Sequence, residues 1–340
     1  MQEPYISVVV SCYNKREIIG ECIRSILNQN YENYELIVVD DGSTDGSIEA
    51  IKKFNSIQMK VIQIRHKGVS AAKNTGIKHA RGSIVLFIDG DCILDKEGLR
   101  ELSKSFSSPE IGCVGGRLLA INSQNLIAKT VELMQNGVER KWPFGANVAY
   151  RREALEKIGG FDEHMEAGED VDLFLRAVKL GYHYIFNPNL TAKTFNPSSL
   201  SALFKQRLRW GVGFVHLFEK HRDVLTLEVK RCFALIATLI FSPLLLLIDW
   251  RLIWVFILIF AVNFLRFIPQ TVKLYQKADE KTFSLFLIIP IIKIVNAIAY
   301  LLSLIYVKTL KSARKLLKAK HSGNLTTRLS QKYKSFLVKI

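Results

Sequence analysis

Asp89 and Asp91 flank Gly90 where the apolar run Ile84–Ile88 ends, so a strand delivers two carboxylates to a surface rather than into a core. Hard oxygen donors of this kind suit Mg²⁺ or Mn²⁺, which takes one or two protein carboxylates and fills its shell with water and substrate phosphates. A nucleoside diphosphate compound is the implied substrate. Alone, Asp-Gly-Asp also describes an ordinary turn. Asp40 and Asp41 form a second acidic pair, just past Glu35–Val39, where they could accept hydrogen bonds from a base N–H and ribose hydroxyls. The residues after them read as a turn, with Asp45 or Ser47 capping the next helix. Glu169 and Asp170 precede Val171–Leu180, and as first-turn acids they favour the positive end of that helix.

The elements that position these residues alternate. Ile6–Ser11, Glu35–Val39, Lys60–Ile64 and Ser83–Ile88 read as strands, and Arg16–Leu27 and Ser70–Ala80 as amphipathic helices between them. Such alternation implies an α/β, doubly wound, mostly parallel sheet, in which ligands bind beyond the carboxyl ends of the strands. Asn14, Asp40-Asp41 and Asp89-Gly90-Asp91 all fall just past a strand end. Further on, Glu97–Phe106 reads as a helix, Gly112–Ile121 as a strand, Gln124–Arg140 as a weaker helix, and 145–155 as a strand running into a helix near Arg152.

Four motifs occur in order: Val10-Ser11-Cys12-Tyr13-Asn14, Asp40-Asp41-Gly42-Ser43-Thr44-Asp45, Ala71-Ala72-Lys73-Asn74-Thr75-Gly76 and Asp89-Gly90-Asp91. Together they resemble the nucleotide-binding half of the family 2 glycosyltransferases. The resemblance implies a GT-A fold, an inverting mechanism and a sugar nucleotide donor; between nucleotides, UDP is expected ahead of GDP. It assigns Tyr13, Asn14, Asp40, Asp41, Lys73, Asp89 and Gly90 to the nucleotide sugar, with Asp91 on the metal and Asp89 helping through ribose or water. Gly145 and Asn147 would line the donor sugar pocket. Asp170 matches the family's general base, which takes the acceptor hydroxyl proton, with Glu169 beside it. Two departures stand out: the family often has Pro at Ser11 and Arg at Lys73. Lysine offers a point charge rather than a planar fork, which weakens a base contact.

Gln206-Arg207-Leu208-Arg209-Trp210 fits the Gln-x-x-Arg-Trp pattern of membrane-embedded synthases in this family. By that likeness Trp210 offers an aromatic face to the acceptor sugar and Arg209 offsets charge on the diphosphate, with Gln206 completing the set. The same stretch mixes Leu and Phe with Lys and Arg as an interfacial helix does, and both readings can hold.

Of 340 residues, 49% are hydrophobic, more than a soluble enzyme needs. Cys232–Ile248 and Leu252–Leu265 lack charge and read as a membrane hairpin, each arm a little short of the ~20 residues of a straight span. Phe283–Val307 is apolar apart from Lys293, with a kink expected at Pro290. Ten of the excess positive charges behind the net +16 lie from Lys308 onward, where no acid occurs. A single span would put that tail outside, against the positive-inside tendency, so a re-entrant or helix-break-helix passage around Pro290 to Asn296, or four crossings, is expected. Beside apolar segments the tail points to anionic lipid rather than nucleic acid, with Lys308–Lys320 a basic helix. Five scattered cysteines imply free buried thiols, and the N-terminus carries no signal-peptide pattern, so a cytoplasmic catalytic domain is expected.

The expected organisation is a GT-A domain over 1–197, interfacial helices over 198–231, transmembrane helices over 232–307 and a basic tail over 308–340. The expected activity is transfer from a nucleotide sugar to a lipid-linked sugar or glycolipid. Polyprenyl-phosphate sugar synthesis, processive polysaccharide synthesis and a nucleotide-binding membrane scaffold are the rivals.

Overall fold

The computed structural model describes residues 3–136, 142–165, 167–221 and 283–319, with isolated positions between 253 and 276. The chain forms two units, Met1–Gln124 with Val138–Asn196, and Asn125–Gly137 with Pro197–Ile340.

In the first unit the strands are β1 (Ile6–Cys12), β2 (Tyr34–Asp40), β3 (Met59–Gln63), β4 (Ile84–Asp89), β5 (Ile93–Leu94), β6 (Ile111–Ala120), β7 (Asn147–Arg151) and β8 (His183–Thr194). Its helices are α1 (Ile19–Leu27), α2 (Ser47–Lys52), α3 (Val69–His79), α4 (Gly98–Ser105), α6 (Arg152–Ile158) and α7 (Glu169–Lys179). The second unit holds α5 (Leu126–Asn136), α8 (Leu200–Lys220) and α9 (Phe283–Ala319).

One sheet runs β3-β2-β1-β4-β7-β6-β8-β5. The residues of β1, β2 and β4 are almost continuously buried, as strands covered on both faces must be. Alternate side chains go to opposite layers: Ile6, Val8 and Val10 pack with Ile19, Cys22, Ile23 and Ile26 of α1, whereas Val9, Val85 and Phe87 pack with Ala72 of α3 and Leu173 of α7. A Cβ on Gly76 would stand 2.2 Å from Val9 Cγ1, so only glycine lets α3 lie this close to β1. Parallel pairing sets Ser11 beside Asp89 and Cys12 beside Asp40, which brings the ends of β1, β2 and β4 to one edge.

The sheet is mixed: four of its pairings are parallel and three, β4-β7, β7-β6 and β8-β5, are antiparallel. Parallel pairing holds over β3-β2-β1-β4, but β7 runs antiparallel to both β4 and β6. The reason is topological. β7 follows an excursion through β5, α4, β6 and α5, enters beside β4 from the opposite direction and leads straight into α6. β8, which sequence patterning does not reveal, pairs with β6 in parallel and skips between the Gly115↔Phe186 and Arg117↔Thr191 pairs.

In the second unit Ser199 caps α8 by accepting the Ala202 N–H at 3.1 Å. Val131, Leu203 and Ile292 form one apolar cluster, and Val212, Val215 and Val307 another. A Cβ on Gly211 would lie 2.4 Å from Ser303 Oγ, so α8 and α9 touch closely there. α9 continues through Pro290 to Ala319, so the expected break between Pro290 and Asn296 is not found; interrupted helical bonding at one proline is tolerated inside a long helix. Leu287–Val307 is long and apolar enough to cross a membrane. The expected arm Cys232–Ile248, nearly all of Leu252–Leu265 and the tail from 320 lie outside the described residues.

Candidate active site

Four turns after β-strands and the start of one helix build the site in the first unit. At the end of β1, Asn14 adopts a left-handed φ of 51°, accepts the Thr44 N–H on Oδ1 at 2.9 Å and donates its own N–H to Ser43 Oγ at 2.9 Å. Asn tolerates that conformation through local bonding, so the residue locks the β1 and β2 loops together. Asp45 closes the same joint by accepting the Arg16 N–H at 3.0 Å and the Ser47 N–H at 3.0 Å.

Asp40 and Asp41 are both buried. Asp41 spends its two oxygens on the N–H groups of Lys67 and Gly68, each at 2.8 Å, and His66 Nδ1 lies 2.9 Å from its Oδ2. Asp40 Oδ2 accepts the Ser43 N–H at 3.2 Å, while its Oδ1 has no hydrogen-bond partner among the described residues. A buried carboxylate oxygen left open is costly and suits a ligand donor. Tyr13, 41% exposed, stacks on His66 with ring centroids 4.1 Å apart. The two acids are therefore unequal: Asp41 holds a loop, and Asp40 keeps an acceptor.

Asp89 and Asp91 stand on either side of Gly90 as expected. Lys15 Nζ lies 2.5 Å from Asp91 Oδ2, and Lys73 Nζ 3.2 Å from Asp89 Oδ1, with Ser11 Oγ donating to the same oxygen at 3.4 Å. Burial pushes the Asp89 carboxyl up; Lys73 opposes this and the neighbouring Asp91 adds to it. Burial works against the charge of Lys15, and the Asp91 carboxylate overrides it and raises the ammonium. Two acids already drawing an ammonium fit a divalent cation. Among the described residues no group of three or more His, Cys, Asp or Glu forms a cage, and an ion shared with phosphates needs none.

Lys73 lies inside the domain, its side chain 2% exposed, and reaches Asp89, Glu169 Oε1 at 3.7 Å and the Gly145 carbonyl at 3.1 Å. Glu169 is buried, and burial and Asp170 push its carboxyl up to about 7 against the pull of Lys73. Asp170 Oδ2 accepts the Gly145 N–H at 2.9 Å, and its Oδ1 accepts the Val171 N–H at 2.9 Å. A Cβ on Gly145 would lie 2.8 Å from Asp170 Cβ, so this glycine makes room for the acid.

Asn147 is fully buried; Nδ2 donates to the carbonyls of Arg117 and Leu190, each at 3.1 Å, beside the register shift of β6 and β8, and Oδ1 has no hydrogen-bond partner among the described residues. Gln206, Arg209 and Trp210 lie on α8 in the second unit. Trp210 is 36% exposed and one face of its ring is covered by the Arg207 guanidinium at 4.2 Å. Arg207 in turn donates to Asn296 Oδ1 at 3.1 Å, Gln206 Oε1 has no partner among the described residues, and Arg209 is exposed. Cys12, Cys22, Cys92 and Cys113 are buried free thiols; burial and Asp40 push Cys12 up to about 11, so it is no nucleophile.

Sequence reading missed Lys15 and His66. Lys15 follows Asn14 directly, and a cation three residues past the end of β1 was the available signal. His66 carried none, since its partners are remote in sequence.

Residues 7–168 match the family described as Glycosyl transferase family 2. They form a family 2 glycosyltransferase domain. Glycosyltransferase AglE of Haloferax volcanii is 28% identical to this chain over 245 residues, 68% of this chain and 79% of that protein. Probable glycosyltransferase YdaM of Bacillus subtilis is 30% identical over 62% of this chain and 55% of its own. Poly-beta-1,6-N-acetyl-D-glucosamine synthase of Staphylococcus epidermidis is 26% identical over 61% and 54%. The chain thus spans only a little over half the length of the last two. Among solved structures, mannosyltransferase PcManGT from Pyrobaculum calidifontis, in complex with GDP-Man and Mn²⁺, superposes with a TM-score of 0.57 at 21% identity over 88% of both chains. That likeness supports a GT-A-like fold for the glycosyltransferase domain.

Proposed function

We propose that this chain is a membrane-bound, inverting glycosyltransferase that moves a sugar from a nucleoside diphosphate to a hydroxyl of a lipid-linked sugar or glycolipid. The observation that carries the reading is Asp170, half-buried at the start of α7 and oriented by the Gly145 N–H at 2.9 Å. Asp170 takes the acceptor proton as the oxygen bonds C1 and the C1–diphosphate bond breaks, the electron pair leaving with the nucleoside diphosphate. Asp40 Oδ1 receives the base. One open oxygen matches the single imide N–H of uracil better than the two adjacent donors of guanine, which favours UDP. Tyr13 and its neighbour His66 supply an aromatic wall. Mg²⁺ or Mn²⁺, held by Asp91 with Asp89, would offset the charge of the departing diphosphate, and the Mn²⁺ in the PcManGT complex is in keeping with that.

Membrane attachment draws support from α9, whose exposed Leu287, Ile291, Ile298, Leu302 and Ile305 recur at helical spacing as an apolar stripe. The catalytic domain is taken to face the cytoplasm. A second reading, elongation of a polysaccharide, is favoured by the Gln206–Trp210 pattern and the similarity to a poly-N-acetylglucosamine synthase. Asp170→Asn tests the central assignment: transfer should be lost while nucleotide binding is kept, and retained turnover removes Asp170 from the role of base.

A further inference from the structure

Lys73 has surroundings that a nucleotide contact does not explain. It lies on α3 with a side chain 2% exposed, and its ammonium meets oxygens from three separate parts of the domain. These are Asp89 Oδ1 at the end of β4 (3.2 Å), Glu169 Oε1 at the start of α7 (3.7 Å) and the Gly145 carbonyl just before β7 (3.1 Å). The ring of Phe161 lies 5.6 Å from the ammonium and shields it. Burying a cation is unfavourable unless oxygens replace its water, and here Asp89 and the Gly145 carbonyl do so at hydrogen-bond distance while Glu169 adds a charge at 3.7 Å.

Gly145 makes the arrangement more than a local ion pair. Its carbonyl accepts from Lys73 while its N–H donates to Asp170 Oδ2 at 2.9 Å, so the two side chains grip one residue from opposite sides. Removing the ammonium leaves Asp89 and Glu169 facing each other without an intervening charge and releases the Gly145 carbonyl. The peptide that aims Asp170 is then free to turn.

We propose that Lys73 is a positioning residue of the transfer reaction, tying donor-side Asp89 to acceptor-side Glu169 and, through Gly145, fixing the angle at which Asp170 meets the acceptor hydroxyl. This rests on the reading of Asp170 as the base.

The test compares Lys73→Met and Lys73→Arg with the wild-type full chain in membranes or detergent, using kcat at saturating donor, acceptor KM, and UDP affinity by calorimetry. Lys73→Met should lower kcat about 100-fold, the effect of misaiming a catalytic group by about 1 Å, with the dissociation constant for UDP within about twofold of wild type. Lys73→Arg restores the charge and should recover most of that loss, which general loosening of the fold would not produce. A Lys73→Met protein that keeps wild-type kcat and binds UDP more weakly overturns the proposal in favour of a base contact. Should Lys73→Met not fold, as judged by thermal melting, Lys73→Gln takes its place: lowered kcat with UDP affinity within about twofold upholds positioning, and wild-type kcat or weakened UDP affinity with unchanged kcat overturns it. Absence of transfer by the wild-type protein from every donor offered would instead overturn the underlying reading of the site.

Discussion

Two acidic pairs in the glycosyltransferase domain, Asp40-Asp41 and Glu169-Asp170, are alike in composition and unlike in their partners. Asp41 at the end of β2 is closed off by the N–H groups of Lys67 and Gly68, and Asp40 keeps one oxygen open after taking the Ser43 N–H. At the start of α7, Asp170 takes one N–H from Gly145 and one from Val171, and Glu169 is met by the Lys73 ammonium. Strand-end acids lie among loop N–H groups and so become part of the loop. The helix-start acids are instead aimed by one peptide and one buried charge. The first pair is therefore mostly absorbed by loop backbone with one oxygen left open, whereas the second is held by one peptide on each oxygen of Asp170 and by the Lys73 charge beside Glu169.

The contrast can be broken at several places. Gly145→Ala puts a Cβ 2.8 Å from Asp170 Cβ and should lower turnover about 100-fold with nucleotide affinity intact; steady-state kinetics beside calorimetry reads both. Asp41→Asn loses two charge-assisted backbone bonds and should cost about 1.5–3 kcal/mol in a denaturant titration, with little change in the turnover of the folded fraction. Asp40→Asn turns an amide N–H toward the base and should weaken nucleotide binding about tenfold or more while leaving Tm nearly unchanged.

The smallest effect concerns Glu35, an acid fully absorbed by the fold. Burial would raise its carboxyl, but the Ser7 hydroxyl and the Arg81 backbone and side chain lower it below the ordinary 4.5. A carboxyl lowered in the folded state adds stability that is present above its unfolded value and lost as pH falls through the folded one. The Tm of the wild type should therefore drop on acidification below 4.5, and Glu35→Gln should flatten that part of the curve. An unchanged slope would place the titration elsewhere.

Much of the donor side was legible because its signals are local. The β-branched runs of β1, β2 and β4 place their ends to within a residue or two, and the acids follow directly. β8 was hidden because Asn187-Pro188-Asn189 reads as a turn; the strand survives by letting 187–190 bulge out of the pairing with β6. The same irregularity accounts for Asn147, whose amide answers the carbonyls freed there, a role no local pattern announces. Lys73 shows the limit from the other side. Its residue type was noted, but its partners Asp89, Gly145 and Glu169 come from distant stretches that only the packing of α3 against the sheet brings together.

The most direct test gives membranes containing the full chain a panel of labelled UDP- and GDP-sugars, with and without EDTA, beside Asp170→Asn membranes. Label should enter solvent-extractable lipid from a UDP-sugar, disappear with EDTA and disappear in the variant. Label entering lipid equally well with EDTA and with Asp170→Asn would contradict both the metal-assisted donor site and the carboxylate base.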